Sequence, residues 1–232
     1  MTNAGLIQER VQFAGARGQL AGELAYTEAT VRFGCLLVGP HPYMGGSMDN
    51  PLMRQIAMGL AAADAVTLRF DYGGVNESQG PAIDVAAAMA KFWATGRAPQ
   101  DETMVEDARA AERWLRDQCD PPMVAIGYSF GAMAAATVVV EQTQGLILIA
   151  PTLKQHDIRV PRRADLDRLV IYADGDFATP AGVSAEWTET LPSPAQVVCM
   201  HGADHFFRGR EANVVQRCVE FCDRLAGRAN GA

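Results

Sequence analysis

The sequence predicts an α/β protein whose mostly parallel sheet is covered by helices on both faces. Two observations lead to this prediction: short apolar runs alternate with stretches of helical periodicity, and turns rich in Gly and Pro separate them. A chain of 232 residues is long enough to bury a large core without disulfides or metals. No repeat or linker interrupts the pattern, so residues 1–232 are predicted to form one domain.

The first two strands are predicted to form a hairpin, and six further strands follow. Residues 11–13 and 20–26 flank the Gly-rich turn 15–18, a pattern typical of an antiparallel hairpin at a sheet edge. The continuous apolar run at 33–38 indicates a strand that is buried on both faces. The other strands are predicted at residues 65–70, 123–128, 146–150, 169–173 and 196–200.

Helices are predicted between the strands. They lie at residues 51–63, 101–118, 130–142, 181–190 and 210–226. An apolar helical stretch at 82–93 lies within the segment 81–100, and residues 152–167 are polar and irregular. Strands that alternate with helices imply crossover connections and a mostly parallel sheet.

The charge balance argues against a nucleic-acid partner. The formal net charge is −7, whereas binding to phosphates requires clustered positive charge. The stretch 159–168 is locally basic, but Pro161 interrupts it and Asp165 and Asp167 follow. A solvated loop is therefore favoured there over a contact for an anionic ligand.

The sequence predicts a cytoplasmic protein. Residues 1–10 lack the basic start and apolar run of a signal peptide, and no apolar stretch reaches membrane-spanning length. The five cysteines are an odd number without the spacing of a disulfide scaffold, which predicts reduced thiols. Cys218 and Cys222 share one face of a predicted helix, where core packing is favoured over redox chemistry.

Ser129 is the candidate nucleophile. It lies in Gly127-Tyr128-Ser129-Phe130-Gly131, where a predicted buried strand meets a predicted helix. Such a turn is so sharp that only small side chains fit two residues before and after the serine, whose hydroxyl is exposed at the carboxyl end of the sheet. A turn of small residues without chemistry is the alternative.

A serine hydroxyl needs a base, which is itself oriented by a carboxylate. Candidate carboxylates, Asp174 and Asp176, follow the predicted strand at 169–173, and candidate bases, His201 and His205, follow the last predicted strand. Each pair lies just past the carboxyl end of a strand, where active sites of open α/β sheets assemble. The order along the chain is therefore Ser, Asp, His.

The chain resembles the α/β-hydrolases over nearly its whole length, and most of all small bacterial serine hydrolases with a His-Pro-His-Pro-x-x-Gly-Gly loop. Residues 39–46 read Gly-Pro-His-Pro-Tyr-Met-Gly-Gly, so Gly39 replaces the first His of that motif. Residues 68–78 resemble the family's Arg-Phe-Asn-Phe-Arg-Gly-Val-Gly-x-Ser segment but depart from it at Tyr72, Gly73 and Asn76. The resemblance implies an eight-stranded α/β-hydrolase fold without a large cap domain, but no narrow substrate specificity.

The resemblance also selects among the candidates. The family Asp stands four residues before a Pro, which selects Asp176 ahead of Pro180, and the family His follows a Gly by three positions, which selects His205. The backbone N–H of Phe130, directly after the nucleophile, is the first predicted donor to an oxyanion. By alignment, the second is the His41 N–H, with Tyr43 as the fallback because Pro42 has no N–H.

No metal or cofactor is predicted. Zinc is the alternative interpretation of the last predicted strand and its loop, because thiolate, imidazole and carboxylate groups suit that ion. The side chains concerned are Cys199, His201, Asp204 and His205. No remote group of ligands supports this alternative, and His41 and His156 are interpreted as loop residues.

The resulting hypothesis is a serine hydrolase that cleaves an ester or thioester of a small-molecule acyl substrate through an acyl-enzyme on Ser129. The same triad supports acyl transfer to an alcohol, amine or thiol, and also peptide cleavage. A non-catalytic binding protein on a hydrolase fold is the alternative from another class.

Residues 81–100 are predicted to form a partial lid over an otherwise open cleft. This segment carries Met89, Phe92 and Trp93, and Phe92, Trp93 and Tyr128 are predicted to contact the substrate. The alternative is a surface helix that buries these apolar residues in the core.

Overall fold

The eight predicted strands form one sheet in the computed structural model, which describes residues 5–96, 101–120 and 122–229. They are β1 (Ile7–Gly15), β2 (Gly18–Tyr26), β3 (Phe33–Val38), β4 (Ala65–Phe70), β5 (Met123–Tyr128), β6 (Thr143–Ile149), β7 (Asp167–Gly175) and β8 (Ala195–Asp204). The helices are α1 (Pro51–Ala61), α2 (Val85–Thr95), α3 (Asp101–Gln118), α4 (Phe130–Thr137), α5 (Ala181–Glu189) and α6 (Glu211–Ala229). A short 3-10 turn, Pro42–Met44, follows β3.

The sheet is mostly parallel. Its strand order is β1-β2-β4-β3-β5-β6-β7-β8. β1 and β2 form the antiparallel hairpin at one edge, β2 pairs antiparallel with β4, and every later pairing is parallel. The sheet has the predicted eight strands and mostly parallel direction, and within the described residues no large cap domain interrupts it.

Alternation along the central strands divides the core into two apolar layers. Leu36 and Leu37 are neighbours in β3 and both are buried, but they belong to different clusters on opposite faces of the sheet. α3 and α4 cover the cluster that contains Leu36, and α1 and α6 cover the one that contains Leu37. The central strands are buried on both faces because helices cover both, which explains their continuous apolar runs.

The boundary between α4 and β6 differs from the prediction. α4 ends at Thr137 rather than at residue 142, and β6 begins at Thr143 rather than at 146. The Thr143 hydroxyl accepts the Val140 N–H at 3.0 Å, and Arg163 donates to the Val140 carbonyl at 2.6 Å. These contacts stabilise a turn where local sequence favoured helix.

Arg159 and Arg162 are exposed in an irregular loop, as predicted for residues 159–168, but Arg168 departs from that prediction. Its side chain is only 1% exposed, and it donates hydrogen bonds to carbonyl groups of the irregular segment after β6. The acceptors are Pro161, Arg163 and Leu166. Arg168 is therefore used to hold this segment against β7 and does not face solvent or a ligand.

The cysteines form no disulfides in the structure. Cys218 and Cys222 pack with Cys35 in the core layer under α6, and all five cysteines are free thiols.

Within the described residues, no helix combines the length and apolar character needed to cross a membrane.

The ends of β3 and β5 and the start of α4 come unusually close. A methyl group on Gly131 would lie 2.0 Å from the Val38 carbonyl oxygen, and one on Gly127 would lie 2.0 Å from the Gly131 carbonyl oxygen. Both close contacts would be with backbone atoms, so no side-chain rotation could relieve them. Glycine at 127 and 131 thus allows α4 to start directly above the sheet.

We expect Gly131→Ala to lower the free energy of unfolding by about 1–3 kcal/mol or to prevent folding, because the methyl group has to displace backbone. Gly182 is the matched control: it is also the second residue of a helix, and nothing lies within 4 Å of its added methyl group. Gly182→Ala is expected to change that free energy by less than about 1 kcal/mol. Urea unfolding measures both, and equal effects would contradict the backbone contact.

Candidate active site

The turn between β5 and α4 presents Ser129 in a strained backbone conformation. Ser129 has φ 60° and ψ −122°, and its N–H donates to the Ile149 carbonyl at 2.9 Å. A non-glycine residue with such angles costs of order 1–3 kcal/mol, and strain of this kind clusters at functional sites. Ser129 is also the residue that precedes α4, yet its hydroxyl does not cap that helix. The hydroxyl is thereby free for another partner.

That partner is His205, which in turn contacts Asp176. His205 Nε2 lies 3.0 Å from Ser129 Oγ, and His205 Nδ1 lies 2.8 Å from Asp176 Oδ2. The side chains of His205 and Asp176 are 6% and 2% exposed. The structure therefore joins the three residues selected from the sequence into one continuous chain of hydrogen bonds.

Asp176 is held by backbone as well as by the imidazole. Its Oδ1 accepts the N–H groups of Ala178 at 2.7 Å and Thr179 at 3.2 Å. The Thr179 hydroxyl donates to the Pro151 carbonyl at 2.8 Å, which ties the loop after β7 to the loop after β6. These bonds satisfy a buried carboxylate and fix its direction toward His205.

The competing residues, Asp174 and His201, contact each other at the surface instead. His201 Nδ1 lies 3.2 Å from Asp174 Oδ2, and the Gly202 N–H donates to Asp174 Oδ1 at 2.8 Å. The hydrogen bond from His201 is the main cause of a lowered pKa at Asp174. Because this pair is exposed, it makes no contact with Ser129.

The zinc alternative finds no support in the geometry. His201 is engaged with Asp174, and His205 is engaged with Asp176 and Ser129. Across residues 5–96, 101–120 and 122–229, no group of three or more His, Cys, Asp or Glu side chains is arranged to hold a metal ion.

Tyr128 contacts both the backbone and the ring of His205. Its hydroxyl donates to the His205 carbonyl at 3.0 Å, and its ring stacks on the imidazole with centroids 5.8 Å apart. Tyr128 is 2% exposed, and burial raises its pKa well above the usual value for tyrosine. Tyr128 lines the cleft while its hydroxyl bonds inside the protein, and its contact with a substrate stays a prediction.

The two predicted oxyanion donors, the N–H groups of Phe130 and His41, belong to different elements. Phe130 is the first residue of α4, so its N–H has no acceptor within the helix. Tyr43, the fallback donor, already donates its N–H to His41 Nδ1 at 3.1 Å. Among the described residues, the His41 N–H has no such acceptor. The geometry therefore favours Phe130 and His41 over Tyr43 as donors to a ligand.

An apolar cleft of about 400 Å³ opens onto Ser129. Met44, Met89, Phe92 and Trp93 lie among its lining residues, as do Phe177 and Phe206. No Lys, Arg, Asp or Glu of the described chain lines it. Trp93 and Phe177 are 72% and 69% exposed, so the cleft opens to solvent between large apolar side chains.

The predicted lid segment supplies part of this wall. Residues 97–100 of the segment 81–100 lie outside the described residues, and the rest contains α2. Ala88 is the buried residue of α2, and the helix contacts the 3-10 turn Pro42–Met44. Phe92 and Trp93 line the cleft and are not among the buried residues of α2, and Trp93 is 72% exposed, so the helix does not bury them in the core as the alternative required.

Sequence reasoning missed a second cluster, which consists of Asp101, His41 and His156. His41 Nε2 lies 3.1 Å from Asp101 Oδ1, and His156 Nε2 lies 3.4 Å from Asp101 Oδ2. His156 Nδ1 lies 2.7 Å from the Thr152 hydroxyl. The rings of His41 and His156 both line the cleft and meet the Phe130 ring edge-on. No local pattern indicates this cluster, because its members lie far apart in the sequence.

Opposing effects act on the pKa of Asp101. Burial alone raises it, but the hydrogen bonds from His156 and His41 outweigh burial and hold the pKa well below its usual range. Asp101 is therefore an anion at neutral pH and a hydrogen-bond acceptor for both imidazoles.

Sequence comparison identifies a relative without an assigned function. No protein-family model matches the chain. An uncharacterised protein of Rickettsia prowazekii is 25% identical over 212 residues, which cover 86% of this chain and 82% of that protein.

Comparison with solved structures shows the fold. A protein of unknown function from Agrobacterium tumefaciens, described as a candidate α/β hydrolase, is 25% identical with a TM-score of 0.79, covering 96% of this chain and 97% of its own. An α/β serine hydrolase homologue from Coxiella burnetii is 26% identical with a TM-score of 0.74, covering 91% and 96%. A Xanthomonas campestris protein, described as an α/β serine hydrolase without a lid, is 24% identical with a TM-score of 0.75, covering 94% of each chain. The chain has the α/β-hydrolase fold.

Asp101 should make stability depend on pH. Its pKa in the folded state lies below the value near 3.8 of an ordinary aspartate, so its contribution is complete above about pH 4 and is lost as the pH falls through the folded-state pKa. We expect wild type to have a higher Tm than Asp101→Asn at pH 5 and this difference to shrink toward pH 3. A difference that grows over this interval would contradict the lowered pKa.

Proposed function

We propose that this α/β-hydrolase-fold protein is a serine hydrolase that cleaves a carboxylic ester or thioester through an acyl-enzyme on Ser129. The observation that carries the proposal is the chain Ser129–His205–Asp176, with distances of 3.0 and 2.8 Å, at the base of an apolar cleft. Nucleophile, base and orienting carboxylate in this geometry are the parts that acyl transfer to serine needs.

In the first half-reaction, His205 Nε2 takes the Ser129 proton while Oγ attacks the carbonyl carbon of the substrate. The carbonyl oxygen gains the negative charge and accepts the N–H groups of Phe130 and His41. Asp176 stabilises the imidazolium and holds the proton of His205 on Nδ1. His205 then gives its Nε2 proton to the leaving alcohol or thiol, and the acyl-enzyme remains.

In the second half-reaction, water takes the place of the leaving group. His205 removes a proton from the water, the hydroxide attacks the acyl carbon, and the carboxylic acid leaves as Ser129 regains its proton. The exposed side chains at the cleft mouth leave a path for solvent to the acyl group. This access favours hydrolysis over acyl transfer to another acceptor.

The lining of the cleft favours an apolar acyl group. Met89, Phe92 and Trp93 come from α2, and Phe177 and Phe206 come from the loops after β7 and β8. An acyl chain between these walls buries apolar surface at roughly 25 cal/mol per Å². In this proposal α2 acts as a partial lid that shields the chain.

Labelling with a serine-directed fluorophosphonate tests the nucleophile. We expect wild type to be labelled and Ser129→Ala to be inert, because the reagent bonds to an activated serine oxygen. Turnover of p-nitrophenyl esters, acyl thioesters and aminoacyl amides then ranks the leaving groups. A well-folded wild type that is neither labelled nor active on any of them would overturn the proposal in favour of a binding role.

Asp176 and Asp174 form a matched pair that tests the triad. We expect Asp176→Asn to lower kcat by about 10³–10⁴-fold, because the amide disfavours the imidazole tautomer that His205 needs. Asp174→Asn removes an exposed carboxylate two residues away and is expected to change kcat by less than about twofold. Steady-state kinetics on one ester measures both, and comparable losses would refute the assignment of Asp176.

Chain-length profiles test the lid. We expect Phe92→Ala with Trp93→Ala to lower the ratio of kcat/KM for octanoate to that for acetate esters by about tenfold, since about 1.4 kcal/mol of apolar contact is lost. Val85→Ala, an exposed position of α2 that does not line the cleft, is the control and should leave the ratio unchanged. An unchanged ratio in the double variant would rule out the lid.

A further inference from the structure

We propose that Asp101 is a positioning residue for the proposed reaction, and that it acts through the imidazole of His41 to fix the loop that donates to the oxyanion. The inference rests on the proposed function of Ser129 but concerns a different set of contacts. It starts from the Asp101–His41–Tyr43 hydrogen bonds, which connect the first residue of α3 to the 39–46 loop.

The contacts of His41 allow one neutral tautomer. The Tyr43 N–H donates to Nδ1 at 3.1 Å, so Nδ1 carries a lone pair and no proton. The ring proton then lies on Nε2, which is 3.1 Å from Asp101 Oδ1, a pure acceptor. The other tautomer would point an N–H at the Tyr43 N–H and a lone pair at the carboxylate. Asp101 therefore selects the tautomer that the loop needs.

The His41 ring holds the local backbone as well. Its Nδ1 caps the 3-10 turn Pro42–Met44, and the His41 carbonyl accepts the N–H groups of Met44 at 2.9 Å and Gly46 at 3.1 Å. The proposed oxyanion donor is the N–H of this same residue. A fixed ring and a fixed carbonyl leave the His41 peptide little freedom, so the donor keeps its direction before substrate arrives.

His156 holds the other side of the carboxylate. Its Nε2 lies 3.4 Å from Asp101 Oδ2, and its Nδ1 lies 2.7 Å from the Thr152 hydroxyl, which can donate or accept. With Oδ2 engaged, Oδ1 points at His41. The rings of His41 and His156 pack against Phe130 with centroids 4.5 and 5.4 Å away. The Asp101 carboxylate thus orients the rings of His41 and His156. Both rings contact Phe130, whose N–H is the other proposed donor.

Kinetics of Asp101 variants test the positioning role. We expect Asp101→Ala to lower kcat by about 10–100-fold with KM changed less than threefold, a loss smaller than the 10²–10³-fold of deleting a donor outright. Asp101→Asn should recover part of kcat, because its amide oxygen still accepts the Nε2 proton. Glu106→Gln, an exposed position on the same helix, is the matched control and should retain wild-type kcat.

A double-mutant cycle shows whether Asp101 acts through His41. His41→Asn keeps a side-chain oxygen for the Tyr43 N–H but lacks the Nε2 proton that Asp101 accepts. In this background the Asp101→Ala change is expected to cost less than twofold in kcat. If Asp101→Ala fails to fold, the Asp101→Leu variant, which has a similar shape and no acceptor for the Nε2 proton, completes the same cycle.

The outcomes separate this inference from the proposed function. An Asp101→Ala kcat equal to that of wild type, a loss in KM alone, or the same loss in both His41 backgrounds would overturn the positioning role. Any of these results would leave the role of Ser129 intact. Full activity in Ser129→Ala would instead refute the proposed function, whatever Asp101 does.

Discussion

A single backbone contact organises the candidate site. Gly131 lies against the carbonyl of Val38, so α4 begins where β3 ends and the intervening turn has room for no side chain at 127 or 131. That turn forces Ser129 into a conformation that non-glycine residues avoid. It also sets the first amide of α4 beside the loop that follows β3. The positions of the nucleophile and of both proposed donors therefore depend on this one backbone contact.

Among the residues that the structure describes, no carboxylate lines the cleft. Asp176 and Asp101 each lie behind an imidazole, and neither lines the cleft itself. Each carboxylate determines which ring nitrogen carries the proton, without adding its own negative charge at the place where an oxyanion would form. Separation of this kind lets two anions orient the site while the lining stays apolar.

Local patterns predicted most of the fold because the central strands are buried on both faces and the long helices are strongly periodic. The bounds of β3, β4, β5 and α3 match the predictions, since continuous apolar runs and strong helical periodicity have few alternatives. α4 was predicted five residues too long, because the local sequence does not indicate that Arg163 donates a hydrogen bond to the Val140 carbonyl. Long-range contacts of this kind override propensity.

The candidate triad was found from the sequence, whereas the Asp101 cluster was not. Ser129, Asp176 and His205 follow strands whose order places them at one edge of the sheet, so their proximity can be inferred from topology. Asp101 begins a helix on the sheet face and meets His41 across a separation of 60 residues. Its role depends on how the segments between strands pack, and strand periodicity carries no information on that.

The bond between Tyr128 and the His205 carbonyl has a dynamic consequence. Tyr128 directly precedes Ser129 in the chain, and the carbonyl belongs to His205 itself. The bond therefore links the ends of β5 and β8, which β6 and β7 separate in the sheet. A displacement of either strand end would strain this bond, so the bond opposes changes in the distance between Ser129 Oγ and His205 Nε2. In the proposed reaction, this is the distance over which the proton moves.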